Sequence, residues 1–406
     1  MSEKVKSYIN AHWNDCIKEN REDKDTLIGM PYPYTVPSVG YFDEMYYWDT
    51  FFTNKGLEIS GRFDQVKYNT DNMLYMVEKY GFMPNGNRTY YLTRSQPPFL
   101  SAMVYDVYRH YNDKAWLRGA YLTLKKEYYF WMTKRIAPNG LNVYGSHNYT
   151  DGLLEYSVGQ LGKRVGFMPK GNAHDLGYHT LAVCESGWDI CSRWGFEVYN
   201  YNPVDLNALM YLFEKNMQCF SAELGADEED IWDKAAEKRK ALMLEYMDNG
   251  EGLLLEYKFA SKTHSAVFSA ASFYPMFVGL LDECRAKKLA ESLNRLEARH
   301  GILTTEENVI EGSYQWGCPN GWACLQYITF SALHKYGFDD DARRIAKKYV
   351  ELVDKICDET HNLWEKYNVI NGSIDVVDEY KMPAMMGWSA GVYLAATEFL
   401  ENGIIF

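Results

Sequence analysis

The chain has 406 residues, 47% of them hydrophobic and 24% charged, which is enough apolar content for a large core and too much for a disordered chain. A net charge of −13 and a pI near 5.3 argue against nucleic acid or an anionic membrane surface as partner, because phosphate binding wants clustered Lys and Arg. The eight cysteines (Cys16, Cys184, Cys191, Cys219, Cys284, Cys318, Cys324, Cys357) form no C-x-x-C pair and no zinc-like spacing to histidine, so buried thiols are expected, with no metal and no cofactor.

The first ten residues are polar with no apolar signal region, and no run approaches the ~18 apolar residues of a membrane span, so a cytoplasmic protein is expected. Residues 7–22 read as an entry helix. Residues 30–40 carry three prolines and forbid one. They deliver an aromatic cluster at 41–49 that ends on Trp48-Asp49. Residues 57–80 have apolar side chains at helical spacing, with Gly81 as a stop. Residues 82–98 form a loop holding Asn85, Asn87, Arg88, Arg94 and Gln96, and loops so dense in hydrogen-bonding groups usually line something.

Helical hairpins follow at 99–111 with 113–136, at 203–220 with 228–247, and at 323–336 with 339–357. Residues 140–171 are glycine-rich and read as an irregular lid or rim. Helices are expected at 174–186, 274–298 and 386–400, and loops at 312–322 and 364–378. About eleven helical patterns alternate with polar, aromatic loops, and convincing strands are few. That alternation fits hairpins arranged in a ring with loops at one end, as a single domain spanning 1–406.

The stretch 185–194 (ESGWDICSRW) places two tryptophans, two carboxylates and an arginine within ten positions. Aromatic faces stack on the C–H surface of a sugar ring while carboxylates and arginine bond its hydroxyls, so a carbohydrate suits this mixture better than phosphate. Trp48, Trp188 and Trp316 lie in well-separated segments, each beside Asp, Asn or Gln. A ring of hairpins would bring all three to one pocket. A pocket of that kind without a cofactor suits glycoside hydrolysis, in which one carboxyl protonates the leaving oxygen while a carboxylate activates water or attacks the sugar. Nucleotide, zinc-protease and serine-hydrolase signatures are absent from the sequence. His174 and His179 are five apart, not the four that puts two ligands on one helical face. Glu185 and Arg193 read as structural partners.

Six segments together resemble the trehalase family of glycoside hydrolases: 85–98 (NGNRTYYLTRSQPP), 185–189 (ESGWD) with 192–194 (SRW), 203–207 (PVDLN), 315–316 (QW), 319–322 (PNGW) and 365–367 (EKY). Their order and spacing over residues 37–392 carry the resemblance. It implies an all-α barrel of six helical hairpins, (α/α)6, with long active-site loops at one end, no metal, and exo-acting hydrolysis of a small α-linked glucoside with inversion. It also implies Asp189 as general acid and Glu365 as general base, and an inverting pair stands about 6.5–9.5 Å apart to admit a water. Tyr41, Phe42, Tyr46, Trp48, Asp49, Asn85, Arg94, Gln96, Trp188, Gln315, Trp316, Trp322, Glu379 and Trp388 fall at or beside positions that bind the sugar.

The chain departs from the family pattern in places. Tyr41 stands where an arginine is expected, Gly317 and Asn368 stand where aspartates are, and the Arg-Pro-Arg-Pro-Glu-Ser-Tyr segment gives way to the region 140–171. Lost arginine contacts to hydroxyls bear on specificity. Trehalose therefore stands beside glucosylglycerate, mannosylglycerate or another disaccharide, and a glycerate would need a cation such as Arg164 or Lys163. Two other readings are a sugar isomerase or epimerase, with His174, His179 and His264 as its only candidates, and a sugar-binding relative that no longer hydrolyses.

Overall fold

The computed structural model describes residues 2–146, 149–307, 310, 312 and 314–405. In chain order these residues form α1 (Glu3–His12), α2 (Tyr47–Ile59), α3 (Phe63–Tyr80), α4 (Leu100–Tyr111), α5 (Lys114–Lys134), α6 (Asp151–Val165) and α7 (Ala173–Glu185). They continue with α8 (Val204–Leu224), α9 (Glu229–Tyr246), α10 (Tyr274–Phe277), α11 (Glu283–Glu291), α12 (Ala323–Lys335), α13 (Asp339–Thr360) and α14 (Gly387–Asn402).

Burial sorts the helices into two rings. In α2 every residue from Tyr47 to Glu58 is buried, in α12 every residue from Ala323 to Leu333, and in α14 every residue from Gly387 to Thr397. A helix buried all round belongs inside; one that buries a single stripe belongs outside. Helix α13 is of the second kind, burying Ala342, Ile345, Ala346, Tyr349, Val350, Val353 and Ile356 at helical spacing. The inner ring runs α2, α4, α8, α10, α12, α14, each touching the next, and α14 returns to pack along α2. Gly391 makes that closure possible, because a Cβ there would stand 2.0 Å from the Phe52 carbonyl oxygen. Helices α1, α3, α5, α9, α11 and α13 supply the outer layer, and the whole is an (α/α)6 barrel. Helices α6 and α7 are an additional pair, packed on each other between α5 and α8 in the chain.

Several expectations are corrected. The entry helix begins and ends earlier than residues 7–22, at Glu3–His12, and gives way to a short strand at Ile17–Lys18. The aromatic cluster that ends at Trp48-Asp49 runs into α2, so Trp48 stands on a helix and not in a loop. The helix expected over 57–80 is two, broken at Gly61, which has φ +71°. The region 140–171 is not wholly irregular. Thr150 caps α6 by accepting from the Leu153 amide, and Gly166 ends it in the left-handed conformation. The helix expected over 274–298 is α10, α11 and a 3-10 turn, divided where Asp282 caps α11. Within the two expected loops, strands Asn320–Trp322 and Lys366–Asn368 pair antiparallel. Residues 147–148 of the expected rim and residue 313 of the 312–322 loop lie outside the described residues.

Candidate active site

The inner helices begin at one end of the barrel. Trp48 and Trp388 are the second residues of α2 and α14, and Trp322 immediately precedes α12. There they surround a cavity of about 750 Å³, within the range of small-molecule sites. Its floor is indole. Trp316 stacks on Trp322 at 3.8 Å and 5°, and lies 5.4 Å from Trp48, while Trp388 stands edge-on to Trp322 at 5.6 Å. The rings are fixed at their polar edges: Trp322 Nε1 donates to the Gln315 carbonyl and Trp388 Nε1 to the Glu365 carbonyl.

Asp189 and Glu365 both line this cavity. Asp189 follows α7 in a turn that needs Gly187, at φ +73°, where a Cβ would meet the Trp48 ring at 2.8 Å. The next residue, Ile190, is β-branched and still holds φ +56°, a conformation that costs about 1–3 kcal/mol and persists only where the surroundings impose it. Here the imposing contact is the Trp316 amide, which donates to the Ile190 carbonyl at 3.2 Å. Arg164 Nη2 donates to Asp189 Oδ2 at 2.9 Å. Glu365 precedes the strand Lys366–Asn368, whose register sets Lys366 opposite Trp322. Its carboxylate accepts from Lys366 Nζ at 2.7 Å and from the Tyr380 hydroxyl at 2.6 Å. The side chains differ in access: Asp189 is 30% exposed and Glu365 4%.

Two further carboxyls line the cavity. Burial pushes the Asp49 carboxyl up to about 8, with the charges of Glu365 and Asp189 acting in the same direction. Burial also pushes Glu379 up to about 7, against the pull of Arg164 and with the push of Asp189. Burial opposes the Arg164 charge, but Cys184, Asp189 and Glu379 more than hold it. Three buried polar atoms of cavity residues have no hydrogen-bond partner among the described residues: Gln315 Oε1, Arg94 Nε and Glu379 Oε2. Unpaired buried groups are costly until a polar ligand satisfies them, and a hydroxyl-rich ligand can do so.

Of the other expected site residues, Phe42, Tyr46, Asn85, Arg94 and Gln96 line the cavity with those already placed. Asn85 is held by bonds from its Nδ2 to the Ser95 and Cys184 carbonyls, and Gln96 Oε1 accepts from the Trp48 amide. Two do not reach it. Tyr41 is 50% exposed and packs against Phe42 and Tyr380 outside the cavity. Trp188 is fully buried behind Trp316, with the Arg193 guanidinium over its face at 4.1 Å.

Glu185 and Arg193 are structural, as their sequence context implied. Glu185 accepts from Arg135, the Ser95 amide and the Gly145 amide, and Arg193 bridges Asp205 and Glu256. His179 is buried, and burial pushes it down to about 3. None of His174, His179 and His264 is among the described residues that line the cavity, and no group of three or more potential metal ligands occurs among the described residues.

Sequence reasoning missed Tyr90, Tyr91, Tyr156, Gln160, Cys184 and Tyr380, all in the lining. A signal existed for α6: Leu153, Tyr156, Ser157, Gln160 and Arg164 fall on one helical stripe once Thr150 is read as a cap.

A profile of the trehalase family matches residues 1–401. The periplasmic trehalase of Pseudomonas aeruginosa is 34% identical over 394 residues, covering 91% of this chain and 71% of that protein. The periplasmic trehalase of Xanthomonas axonopodis pv. citri is 31% identical over 425 residues, covering 96% and 72%. The structure of neutral trehalase Nth1 from Saccharomyces cerevisiae superposes with a TM-score of 0.79 at 24% identity, over 99% of this chain and 81% of that one. The expectation of a cytoplasmic location is overturned by these relatives, since the two bacterial enzymes are named as periplasmic.

Proposed function

The chain belongs to the trehalase family, and from that premise we propose that it hydrolyses α,α-trehalose with Asp189 as general acid and Glu365 as general base. It is an inverting, exo-acting α-glycosidase of small α-linked glucosides. The whole chain is read as one catalytic domain, because the helix ring closes only when α14 meets α2.

The observation that carries the roles is that Asp189 and Glu365 face one indole-floored cavity from distant parts of the chain with unequal access to solvent. Asp189, the more open, suits the group that must regain a proton in each cycle and passes it to the leaving oxygen as the glycosidic C–O bond breaks. Glu365, enclosed and held by Lys366 and Tyr380, suits the base that takes a proton from water as the new C–O bond forms on the opposite face. Asp49, whose raised titration keeps it protonated at neutral pH, can donate to a sugar oxygen without adding charge.

A neutral second sugar fits better than glycerate. Of the two cations expected to serve a glycerate, Arg164 already binds both Asp189 and Glu379, and Lys163 is not among the residues that line the cavity. Inversion at a 1,1-linkage releases one glucose as the β anomer and leaves the other α. Proton NMR in the first minutes of trehalose hydrolysis should therefore show the two anomers in equal amounts. The α anomer alone would defeat the assignment, as would an Asp189→Asn variant of wild-type activity.

A further inference from the structure

Helix α6 turns Tyr156, Gln160 and Arg164 toward the cavity at intervals of about one turn, with Tyr156 at the solvent end and Arg164 innermost. One nitrogen of Arg164 joins three remote parts of the chain. Nη2 donates to Asp189 Oδ2 at 2.9 Å and to Glu379 Oε1 at 2.6 Å, while Nη1 lies 3.1 Å from Cys184 Sγ. Helix α6, the turn after α7 and the segment before α14 are thereby tied together at the side chain read as the acid.

The other groups around Asp189 have the opposite electrostatic sense. Glu379 and Tyr380 approach from the segment before α14, Glu365 from the strand beside Trp322, Asp49 from α2, and the Cys184 thiol from α7. Each is anionic or neutral. Arg94, the other arginine of the lining, makes no ion pair among the described residues and rests over Tyr91 at 4.9 Å. Arg164 is thus the cation in direct contact with Asp189, and it divides its charge between Asp189 and Glu379.

Resting on the reading of Asp189 as general acid, we propose that Arg164 is its positioning residue: the shared guanidinium fixes the Asp189 carboxyl against α6 for proton delivery to the leaving oxygen. A cation bonded to a carboxyl favours its charged form, so the pH dependence of the rate reports on the contact. Removing the cation raises the basic limb of the rate profile, and removing its competitor lowers it. A residue that merely braced the fold would change the rate and leave both limbs where they were.

The test is the pH dependence of kcat/KM for trehalose in wild type, Arg164→Gln, Arg164→Lys and Glu379→Gln, with thermal unfolding of each. Arg164→Gln is expected to shift the basic limb upward by about one pH unit or more and to lower kcat at least tenfold through lost positioning. Arg164→Lys keeps the charge, so its limb should stay within a few tenths of a unit of wild type while kcat falls less. Glu379→Gln should move the limb downward.

A limb that stays put in a folded Arg164→Gln variant overturns the inference and leaves the hydrolytic reading intact, provided wild type still gives a bell-shaped profile. Should Arg164→Gln fail to fold, an upward shift of a full unit in Arg164→Lys overturns it instead. A wild-type enzyme that releases no sugar overturns the hydrolytic reading and this inference with it.

Discussion

The indole floor and the α6 wall bound the same cavity by different means. Trp48, Trp316, Trp322 and Trp388 are buried and hold one another at ring-contact distance, and Trp322 and Trp388 are bonded to the backbone carbonyls of Gln315 and Glu365. Helix α6 has glycines at 152, 159 and 162, exposes Tyr156 to 66%, and touches the reacting end chiefly through Arg164. The floor cannot move without breaking the barrel, whereas the wall is a helix pair added to it. Of the departures from the family pattern, the region 140–171 lies at the wall, while Gly317 and Asn368 adjoin the floor, one beside Trp316 and one on the strand paired with Asn320–Trp322.

The sharpest way to break this comparison is to remove the carboxyls where the two regions meet. Asp189→Asn and Glu365→Gln should each lower kcat about 10²–10⁴-fold, the usual worth of a positioned acid or base, with melting temperatures near wild type, as read by glucose release and circular dichroism. Residual activity within tenfold of wild type at either position would remove that residue from the chemistry.

The next largest effect belongs to the floor. Asp49 is buried, and its carboxyl titrates near 8. In the unfolded chain it ionises near 4. Its protonated form is therefore favoured by folding: the contribution is full below about pH 4 and is lost as pH rises toward 8. Unfolding free energy from urea titrations should fall over that interval, and Asp49→Asn should make the decline shallower. An unchanged slope would mean that Asp49 is ionised in the native protein.

A smaller effect probes how tightly the acid turn sits on the floor. Gly187→Ala puts a Cβ against the Trp48 ring at a left-handed backbone position, and should cost about 1–3 kcal/mol by urea unfolding. The smallest belongs to the wall. Tyr156→Ala should change stability by less than about 0.5 kcal/mol and raise KM for trehalose with kcat little altered. A larger loss of stability than that of Gly187→Ala would reverse the contrast between the two regions.

The sequence disclosed these regions unequally. Hairpins α4 with α5, α8 with α9 and α12 with α13 were legible because at least one member of each carries an apolar stripe with a polar back. Helix α2 was not: buried on every side, it has no periodicity to read, and unlike the equally buried α14 it begins inside the aromatic cluster 41–49. Helix α6 was hidden by its three glycines, each of which lowers helix propensity by about 1 kcal/mol against alanine. Burial on α7 through Leu154, Leu161 and Val165 overrides that penalty. Fourteen of the sixteen expected site residues line the cavity. The two that do not, Tyr41 and Trp188, adjoin residues that do, which is the resolution motif matching gives: a motif marks a segment, while the backbone turn decides which of its side chains points inward. Location was not legible, since composition and cysteine spacing constrain chemistry more than address.

Helix α14 seals the barrel against α2 through the contact of Gly391 with Phe52, and it also brings Trp388 to the cavity. During translation α2 emerges more than three hundred residues before its partner. Until then the side of α2 that α14 covers has no permanent cover, so the nascent chain must shield it with temporary contacts or a chaperone. The same delay means that the enzyme acquires its function in one late step, with no partially active form on the ribosome.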